Sequence, residues 1–593
     1  MSTPPAAPEL PAWSRRMRDL FRSGSVAQFI LHGNVFDVIP HGDRQVSLKQ
    51  FLDEAMFASY DTVLHYDRSR GVRASRGGDD WSTWLQQALG DANPISSTRE
   101  PGVALELIDR YLLRTLNLAA IQQRSAVPAA PAPAPAPDTS TPAGQRKVAV
   151  VIDFAEFVVP RADAAQLGGP FAANVVKVLG WANDTAILQA NVITVLIAEG
   201  IHDLNALVGD NPHTAEIKLP LPDEAEMTAY VDSVAQGPIP DLAAKSDVPL
   251  ATLGQRLTGL SRVGARRLLT MATRSGQRLT ADWVARIKRE LIESECQGLL
   301  DFIESKLTLD DMAGSDSVKA WLREDATLLQ KGALHALPMG YLVAGRIGTG
   351  KTYLVQCWAG ELGIPCVVFK NFRDKWVGAT ESNLEKIFSV LKAIGQVLVF
   401  VDEADQAAGK REGGDTDGGL SGRVYAMLAK EMSDTRNRGR ILWVFATSRP
   451  DLLEVDLKRQ GRLDVHIPLF APETPGEMRA LFQAIARKLK FPLKDEDLPE
   501  LDPSQGLGSN EIEGVLVRAL RVWELAPEPK PALRDILAGV LRDVRPSAHT
   551  RKLEYMDLVA VKECTDQRFL PPRFRDLTPE QIETKLAELR RFV

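Results

Sequence analysis

Short, continuous apolar runs alternate with stretches of helical periodicity in two separate halves of the chain. In the second half these runs are Met339–Gly345, Cys366–Phe369, Val397–Asp402 and Ile441–Thr447, and in the first half they are Phe29–Gly33, Thr62–Asp67, Lys147–Asp153 and Val192–Ala198. Runs without polar alternation are typical of strands buried on both faces of a parallel sheet. Helical periodicity dominates residues 250–307 and 472–593. The pattern predicts an α/β fold with two parallel-sheet modules, each followed by a small helical lid.

Residues 127–144 interrupt the first half with the sequence VPAAPAPAPAPDTSTPAG. Alternating Pro and Ala remove backbone donors and favour a stiff, solvated polyproline II conformation, so this segment is not part of a core. Because both flanks have the pattern of folded structure, we interpret it as an insertion in a surface loop. A simple linker between domains is the alternative.

Composition narrows the possible classes of function. A chain of 593 residues requires several domains, and 45% apolar residues suffice to form their cores. The net charge of −6 disfavours nucleic acid and anionic lipid as partners. The four cysteines form no CxxC pair, the N-terminus has no apolar segment, and no long apolar run occurs. We therefore expect a reduced, cytoplasmic protein with no membrane partner.

The sequence GRIGTGKT, residues 345–352, lies between a predicted strand and a predicted helix and fits the pattern GxxxxGK[ST]. Glycines allow the backbone to turn tightly, so that successive N–H groups and the helix N-terminus can surround phosphate oxygens. Lys351 adds a full positive charge at the β- and γ-phosphates, and the Thr352 hydroxyl can enter the shell of Mg²⁺. The predicted ligands are ATP and Mg²⁺. The candidate nucleotide-binding residues are Gly345, Gly348, Thr349, Gly350, Lys351 and Thr352.

Two adjacent acids, Asp402 and Glu403, end the predicted strand VLVFV. Asp402 can hold Mg²⁺ together with Thr352, and Glu403 can orient and polarise the water that attacks the γ-phosphorus. Acids at a strand end are often only surface charge. Their pairing with the upstream phosphate loop favours the catalytic interpretation.

From about Thr308 to Asp464 the sequence resembles the AAA branch of the AAA+ ATPases. The segments LTLDDMAGSDSVKAWLRE, VDEAD, FATSRPDLL and LKRQGRLD occur with the phosphate loop in the order of that family. The resemblance implies a polar sensor at Ser448, where the family usually has Asn; a hydroxyl reaches less far than an amide, so hydrolysis is expected to be tuned differently. Arg346 and Ile347 replace two prolines that are common in the family, which removes a stiffening device.

The resemblance also implies that Arg459 and Arg462, in LKRQGRLD, are arginine fingers. Such residues act on the nucleotide of a neighbouring subunit and contribute about 10³- to 10⁵-fold in rate. We therefore expect a homo-oligomer, a hexamer by family resemblance, with little activity as a monomer. Two solvated surface arginines are the alternative.

Lys375, Trp376, Val377 and Gly378 follow the second predicted strand of this half. A tryptophan on a loop is most simply explained by packing onto the core. The family resemblance instead implies that KWVG is the aromatic pore loop that grips a polypeptide in the channel of the ring. The glycine-rich stretch 409–422 is either a second channel loop or an ordinary surface loop.

The first half has the strand pattern of such a module without its chemistry. After FILHG comes NVFDVIPHGD, which contains neither the phosphate-loop Lys nor the following Ser or Thr. Asp153 remains at a strand end, but the next acid, Glu156, is three residues away, so we interpret both as structural remnants. The segment LTGLSRVGARRLL resembles a lid helix of the family. The predicted domains are a degenerate AAA-like module at 14–236, a helical lid at 237–305, an active AAA+ module at 306–470 and a second lid at 471–593.

The hypothesis from sequence is an ATP-hydrolysing ring that remodels, unfolds or disassembles a protein substrate. A nucleotide-switched scaffold or assembly factor that does not thread polypeptide is the alternative. A DNA-directed loader is disfavoured by the acidic charge balance and by the absence of a recognisable DNA-binding helical pair. The sequence contains no HExxH and no GxSxG string, so neither a zinc protease nor a serine hydrolase of that type is supported.

Overall fold

The computed structural model describes residues 10–89, 98–125, 146–162, 167–296, 299–369, 381–405, 426–527, 529–544 and 549–592. The predicted pore loop Lys375–Gly378, the insertion 127–144 and the glycine-rich stretch 409–422 lie outside the described residues. The chain divides into two units: residues 1–288 with 380–393, and residues 289–379 with 394–593. Each unit contains one large sheet.

The first unit contains a six-stranded sheet in the order β5-β4-β6-β7-β1-β8 and a small hairpin, β2-β3. Its strands are β1 Gln28–Gly33, β2 Val38–His41, β3 Arg44–Ser47, β4 Thr62–Asp67, β5 Gly71–Arg76, β6 Val148–Ile152, β7 Val192–Ile197 and β8 Thr214–Leu219. In the large sheet the strands are parallel except β5, which is an antiparallel edge strand. All four strands predicted for this half are present.

Both faces of this sheet are covered, as the continuous apolar runs require. Alternate residues of each strand enter opposite cores: Phe29 and Ala149 lie in one cluster, and Ile30 and Val150 lie in the other. The covering helices are Ala12–Arg22, Leu48–Phe51, Gly78–Leu89, Pro101–Ser125, Gly169–Asn183, Thr185–Gln189 and Ala206–Gly209. The helices Glu224–Gln236, Leu242–Lys245, Leu250–Leu257, Arg262–Arg274 and Ala281–Glu295 follow β8, and Glu381–Ile394 is grouped mainly with this unit.

The second unit contains a six-stranded sheet in the order β14-β10-β13-β12-β11-β9. Its strands are β9 Leu300–Ile303, β10 Gly340–Ala344, β11 Cys366–Phe369, β12 Val397–Val401, β13 Ile441–Thr447 and β14 Val465–Pro468. All are parallel except β9, again an antiparallel edge strand. The five parallel strands of both sheets, numbered along the chain, have the same spatial order: fifth, first, fourth, third, second.

Strand β9 lies within residues 250–307, where helical periodicity dominates, and the sequence did not predict it. The helix Ala281–Glu295 ends before Leu300, and Leu300–Ile303 pairs with β11 in the sheet. A run of four residues is too short for periodicity to distinguish strand from helix, and its pairing partner lies far along the chain.

The helices of the second unit pack in two groups. They are Asp316–Gln330, Lys351–Leu362, Pro475–Lys488, Ser509–Leu525, Leu533–Asp543, Thr550–Glu563, Pro572–Arg575 and Pro579–Leu589. Helices between 475 and 543 share a core around Phe482, Leu516 and Leu537. The last helices form a separate core, and Thr550–Glu563 is joined to β14, where the His466 N–H donates to Thr565 Oγ1 at 2.9 Å. The segment predicted as one lid therefore contains two packing clusters.

Candidate nucleotide-binding and catalytic site

Three glycines shape the loop between β10 and the helix Lys351–Leu362. Gly345, Gly348 and Gly350 have φ values of 153°, 82° and 84°, which L side chains rarely adopt. A Cβ added to Gly345 would lie 2.3 Å from the backbone oxygen of Leu469. The loop can take this shape only with glycine at its first position.

The Lys351 ammonium is held at this loop by three oxygens. Nζ donates to Gly345 O at 2.7 Å, to Arg346 O at 3.0 Å and to Ser448 Oγ at 3.0 Å. Burial lowers the pKa of Lys351 to about 8, and the carboxylates of Asp402 and Asp405 act in the opposite direction. The structure thus brings Ser448, the predicted sensor, into direct contact with the phosphate-loop lysine.

A hydroxyl and a carboxylate meet beside the loop. Thr352 Oγ1 donates to Asp402 Oδ2 at 2.8 Å, and Asp402 Oδ1 accepts from the Glu403 N–H at 2.9 Å. Oxygen ligands of this kind are the ones that Mg²⁺ prefers, and one or two protein oxygens are its usual complement beside a nucleotide. The residues present therefore fit the predicted Mg²⁺ site, with Thr352 and Asp402 as its protein ligands.

Glu403 occupies an unusual backbone conformation immediately after β12. Its φ is 47°, and its side chain is exposed. A non-glycine residue adopts this conformation only rarely. The strand end places this carboxylate next to Asp402, as the sequence predicts.

Arg459 and Arg462 lie near the amino end of β10, the opposite end of this strand from the phosphate loop. The Arg462 backbone oxygen is 2.6 Å from a Cβ built on Gly340, the first residue of β10, whereas the phosphate loop follows the last residue of that strand. Five residues of strand span about 16 Å. Arg459 is 70% exposed beside Asp456, and Arg462 Nε donates to Ser433 Oγ at 2.9 Å. These guanidinium groups therefore lie away from the loop of their own chain.

The contacts of the Arg346 side chain were not predicted. At the sequence level this position is only the loss of a proline, but in the structure the side chain reaches residues far along the chain. Arg346 Nη2 donates to Gly506 O at 2.9 Å, and Nη1 lies 3.8 Å from Asp557 Oδ2. A guanidinium in a phosphate loop needs hydrogen-bond acceptors, but no local sequence pattern identifies the acceptors of Arg346.

The first unit repeats the backbone of this site. Gly33 follows β1 with φ of 92°, and its added Cβ would meet Leu219 O at 2.8 Å, as that of Gly345 meets Leu469 O. Asp153 follows β6 as Asp402 follows β12, and the next residue, Phe154, has φ of 52°. Phe154 is thus the positional counterpart of Glu403. The next acid, Glu156, lies two residues beyond that position, in agreement with its interpretation as a structural remnant.

A carboxylate closes the corresponding loop of the first unit. Asp37 accepts from the N–H groups of Arg262 and Val263 at 3.0 and 2.9 Å, the first residues of the helix Arg262–Arg274. In the second unit the phosphate loop is also joined to the start of a helix, because the Ser509 N–H donates to Gly348 O at 2.7 Å. The loop of the first unit therefore provides its own anion to a helix N-terminus.

A parallel sheet of this strand order, with a glycine loop, a lysine and paired acids at its carboxyl edge, defines a P-loop nucleotide hydrolase. Comparison with family models extends this assignment. Residues 4–220 match the N-terminal Rossmann-like domain of AAA+ chaperones, residues 228–297 the second helical domain of AAA+ chaperones, and residues 341–470 the AAA ATPase family. The chain is an AAA+ ATPase of tandem architecture, and this confirms the predicted fold class and enzyme class.

Several curated relatives are similar to part of the chain. ATP-dependent zinc metalloprotease FtsH 2 of Salinibacter ruber is 32% identical over 249 residues, 38% of this chain and 36% of that protein. ATP-dependent zinc metalloprotease FtsH of Synechococcus sp. is 33% identical over 275 residues, which are 44% of this chain and 42% of that protein. FtsH of Rhodococcus erythropolis is 35% identical over 185 residues, which are 30% of this chain and 22% of that protein. The chain spans less than half the length of these relatives.

Metal-binding clusters and membrane-spanning helices are both absent from the described residues. These residues contain no group of three or more His, Cys, Asp or Glu side chains that could hold a metal ion. No helix among them combines the length and apolarity needed to cross a bilayer. The match to the AAA ATPase family supports ATP hydrolysis as the reaction.

Proposed function

We propose that this protein is a homo-oligomeric ring, a hexamer, in which the second unit hydrolyses ATP between neighbouring subunits to remodel protein substrates in the cytoplasm. The main support for the proposal is the position of Arg459 and Arg462. They lie at the amino ends of the strands, whereas Lys351 lies at the carboxyl ends. A guanidinium that cannot reach the loop of its own chain is available to the loop of a neighbour. The names of the relatives, ATP-dependent proteases, support protein as the substrate class.

In this mechanism Lys351 and the loop N–H groups hold the phosphates, and Thr352 and Asp402 hold Mg²⁺. Mg²⁺ held by these two residues would neutralise part of the charge of the triphosphate. Glu403 orients a water whose oxygen bonds to the γ-phosphorus while the bond to the β,γ-bridging oxygen breaks; Glu403 takes the water proton and passes it to solvent. Ser448, through its bond to Lys351, helps to fix the ammonium. Arg459 and Arg462 of the neighbour stabilise the charge that develops.

The first test is Glu403→Gln, which keeps size and hydrogen bonding but cannot accept a proton. We expect ATP binding to persist while turnover falls by about 10²- to 10⁴-fold, the usual contribution of a general base. ATPase assays and binding of a fluorescent ATP analogue measure the two effects. Wild-type turnover in this variant would refute the assignment of Glu403.

Subunit mixing tests the shared site. A Lys351→Ala chain and an Arg459→Ala/Arg462→Ala chain should each be inactive. In a random mixture about a quarter of interfaces combine an intact loop with intact arginines, so ATPase activity should return to about that fraction. Absence of recovery, or full activity of a dilute monomer, would contradict the proposal.

Trp376→Ala distinguishes a threading motor from a nucleotide-switched scaffold. A motor should lose unfolding of a labelled, tagged test protein while its ATPase activity stays within a few-fold of wild type, and Trp376→Phe, which keeps an aromatic face, should retain unfolding. If Trp376→Ala and Trp376→Phe unfold the test protein equally well, the aromatic ring does not grip the substrate, and the scaffold is favoured.

A further inference from the structure

The Arg346 side chain turns out of the phosphate loop and into the helical part of the second unit. Its backbone oxygen remains in the loop, where it accepts from Lys351 Nζ at 3.0 Å and from Thr349 Oγ1 at 2.9 Å. Its side chain is 12% exposed, and Nη2 of its guanidinium donates to Gly506 O at 2.9 Å. One residue therefore connects the lysine of the nucleotide site with a segment 160 positions further along the chain.

The segment that receives this hydrogen bond begins the helix Ser509–Leu525. Gly506 has φ of 63°, and both terminal nitrogens of Arg346 lie 3.8 Å from a Cβ built on it. The Ser509 N–H donates to Gly348 O at 2.7 Å. Two adjacent contacts, one from a side chain and one from the backbone, thus join the phosphate loop to the start of this helix.

A buried carboxylate faces the same guanidinium from a different helix. Asp557, in Thr550–Glu563, is 4% exposed, and its Oδ1 has no hydrogen-bond partner among the described residues. Its Oδ2 lies 3.8 Å from Arg346 Nη1 and 3.9 Å from Arg573 Nη2. Arg573 also pairs with Glu473, at 2.5 Å from Nε to Oε1. Both distances to Asp557 exceed a direct hydrogen bond, so the attraction is that of charges in a weakly screened interior.

A buried carboxylate with an unpaired oxygen is destabilising by itself, and this one lies beside the arginine of the phosphate loop. Burial raises the pKa of Asp557 to about 6, with Glu473 and Glu554 acting in the same direction and Arg346 and Arg573 against it. The group is therefore mainly ionised at neutral pH. It orients a guanidinium whose other contact closes the helix Ser509–Leu525 onto the loop.

We propose that Arg346 is a positioning residue for the ATPase: it ties the phosphate loop to the helix that begins at Ser509, with Asp557 as its anchor, and so limits the release of nucleotide. This inference rests on the ATP site of the proposed function. On this proposal the helix moves away from the loop when a nucleotide leaves, and the Arg346 contacts break in that step. Their loss should accelerate release without removing any group that binds phosphate.

Stopped-flow release of mant-ADP from the full chain tests this. Arg346→Ala should release mant-ADP about tenfold faster, the ratio that corresponds to 1.4 kcal/mol. Arg346→Lys keeps the charge but not the fork and should fall between that variant and wild type. Asp557→Asn should give a smaller acceleration and add nothing in the Arg346→Ala background. The control Arg436→Ala removes an 86% exposed arginine paired with Asp434 and should stay within twofold of wild type.

Release within twofold of wild type in Arg346→Ala would overturn the proposal, as would a full additional effect of Asp557→Asn in that background. If Arg346→Ala does not fold, Arg346→Lys decides in its place: unchanged release overturns the proposal and faster release supports it. A merely structural arginine would lower the thermal midpoint without changing the release rate.

A parallel Lys351→Ala measurement separates this inference from the proposed function. If that variant binds mant-ADP as tightly as wild type, the loop is not the nucleotide site, and both proposals fail. If it loses binding while Arg346→Ala releases at the wild-type rate, only the role of Arg346 is refuted.

Discussion

Asp557→Asn should make the second unit more stable above pH 6. The pKa of Asp557 is raised from 3.8 to about 6 because the carboxylate is buried. A native pKa above the unfolded value means that the folded state binds more protons between these values, so stability is lost as pH rises through that window. A shift of about 2 units corresponds to about 3 kcal/mol, and asparagine does not carry this penalty.

Calorimetric scans of the full chain at pH 5 and pH 8 can measure the effect. Because a chain of several domains unfolds in more than one transition, the transition that ADP raises identifies the second unit. We expect the thermal midpoint of this transition in wild type to be lower at pH 8 than at pH 5. At pH 8 the midpoint should be higher in Asp557→Asn than in wild type. The pKa of Asp566 is lowered by a hydrogen bond from Arg568, so the control Asp566→Asn should change the midpoint in the opposite direction.

The reasoning would be refuted by a lower midpoint for Asp557→Asn at pH 8. That result would mean that the attraction of the two facing arginines outweighs the desolvation of the carboxylate. A higher midpoint together with faster mant-ADP release would show that this buried charge reduces stability while supporting the nucleotide cycle.

Two further substitutions test the loops of the two units. Gly345→Ala would place a methyl group 2.3 Å from Leu469 O, so it should abolish binding of a fluorescent ATP analogue, which titration measures; normal affinity would show that the loop is less constrained than its φ implies. Asp37→Ala removes the acceptor at the start of the helix Arg262–Arg274. The amides of this helix should then exchange hydrogen faster, by a factor that corresponds to a loss of about 1–2 kcal/mol in the free energy of opening. ATPase activity should stay within about twofold of wild type. Unchanged protection in that helix would contradict the role of Asp37.

The sequence predicted the features that depend on contiguous residues. Apolar runs located all eight of the strands they were used to predict, and the phosphate loop and the Asp402–Glu403 pair lie at the predicted strand ends. These features are predictable because a strand flanked by a glycine loop fixes which residues share a sheet edge. The contact of Ser448 with Lys351 needed the neighbouring strands β10 and β13 to be known.

The features that the sequence did not predict depend on long-range pairing or on backbone conformation. The edge strand β9 was not predicted, because its partner β11 lies far along the chain. Phe154, and not Glu156, is the counterpart of Glu403, a correspondence that only their shared positive φ and strand position reveal. The approach of Asp557 to Arg346 joins residues that no spacing rule relates. The roles of Arg459 and Arg462, and that of Trp376, remain predictions.

The left-handed turn after the third parallel strand occurs in both sheets. Four non-glycine residues in the described part of the chain have positive φ, and Phe154 and Glu403 are two of them. Since the conformation accompanies a phenylalanine as readily as a glutamate, it belongs to the scaffold and is not an adjustment made for hydrolysis. A designer who transplants the catalytic acid to another parallel sheet would consequently have to transplant this bend as well, because the ordinary extended exit of a strand would send the carboxylate elsewhere.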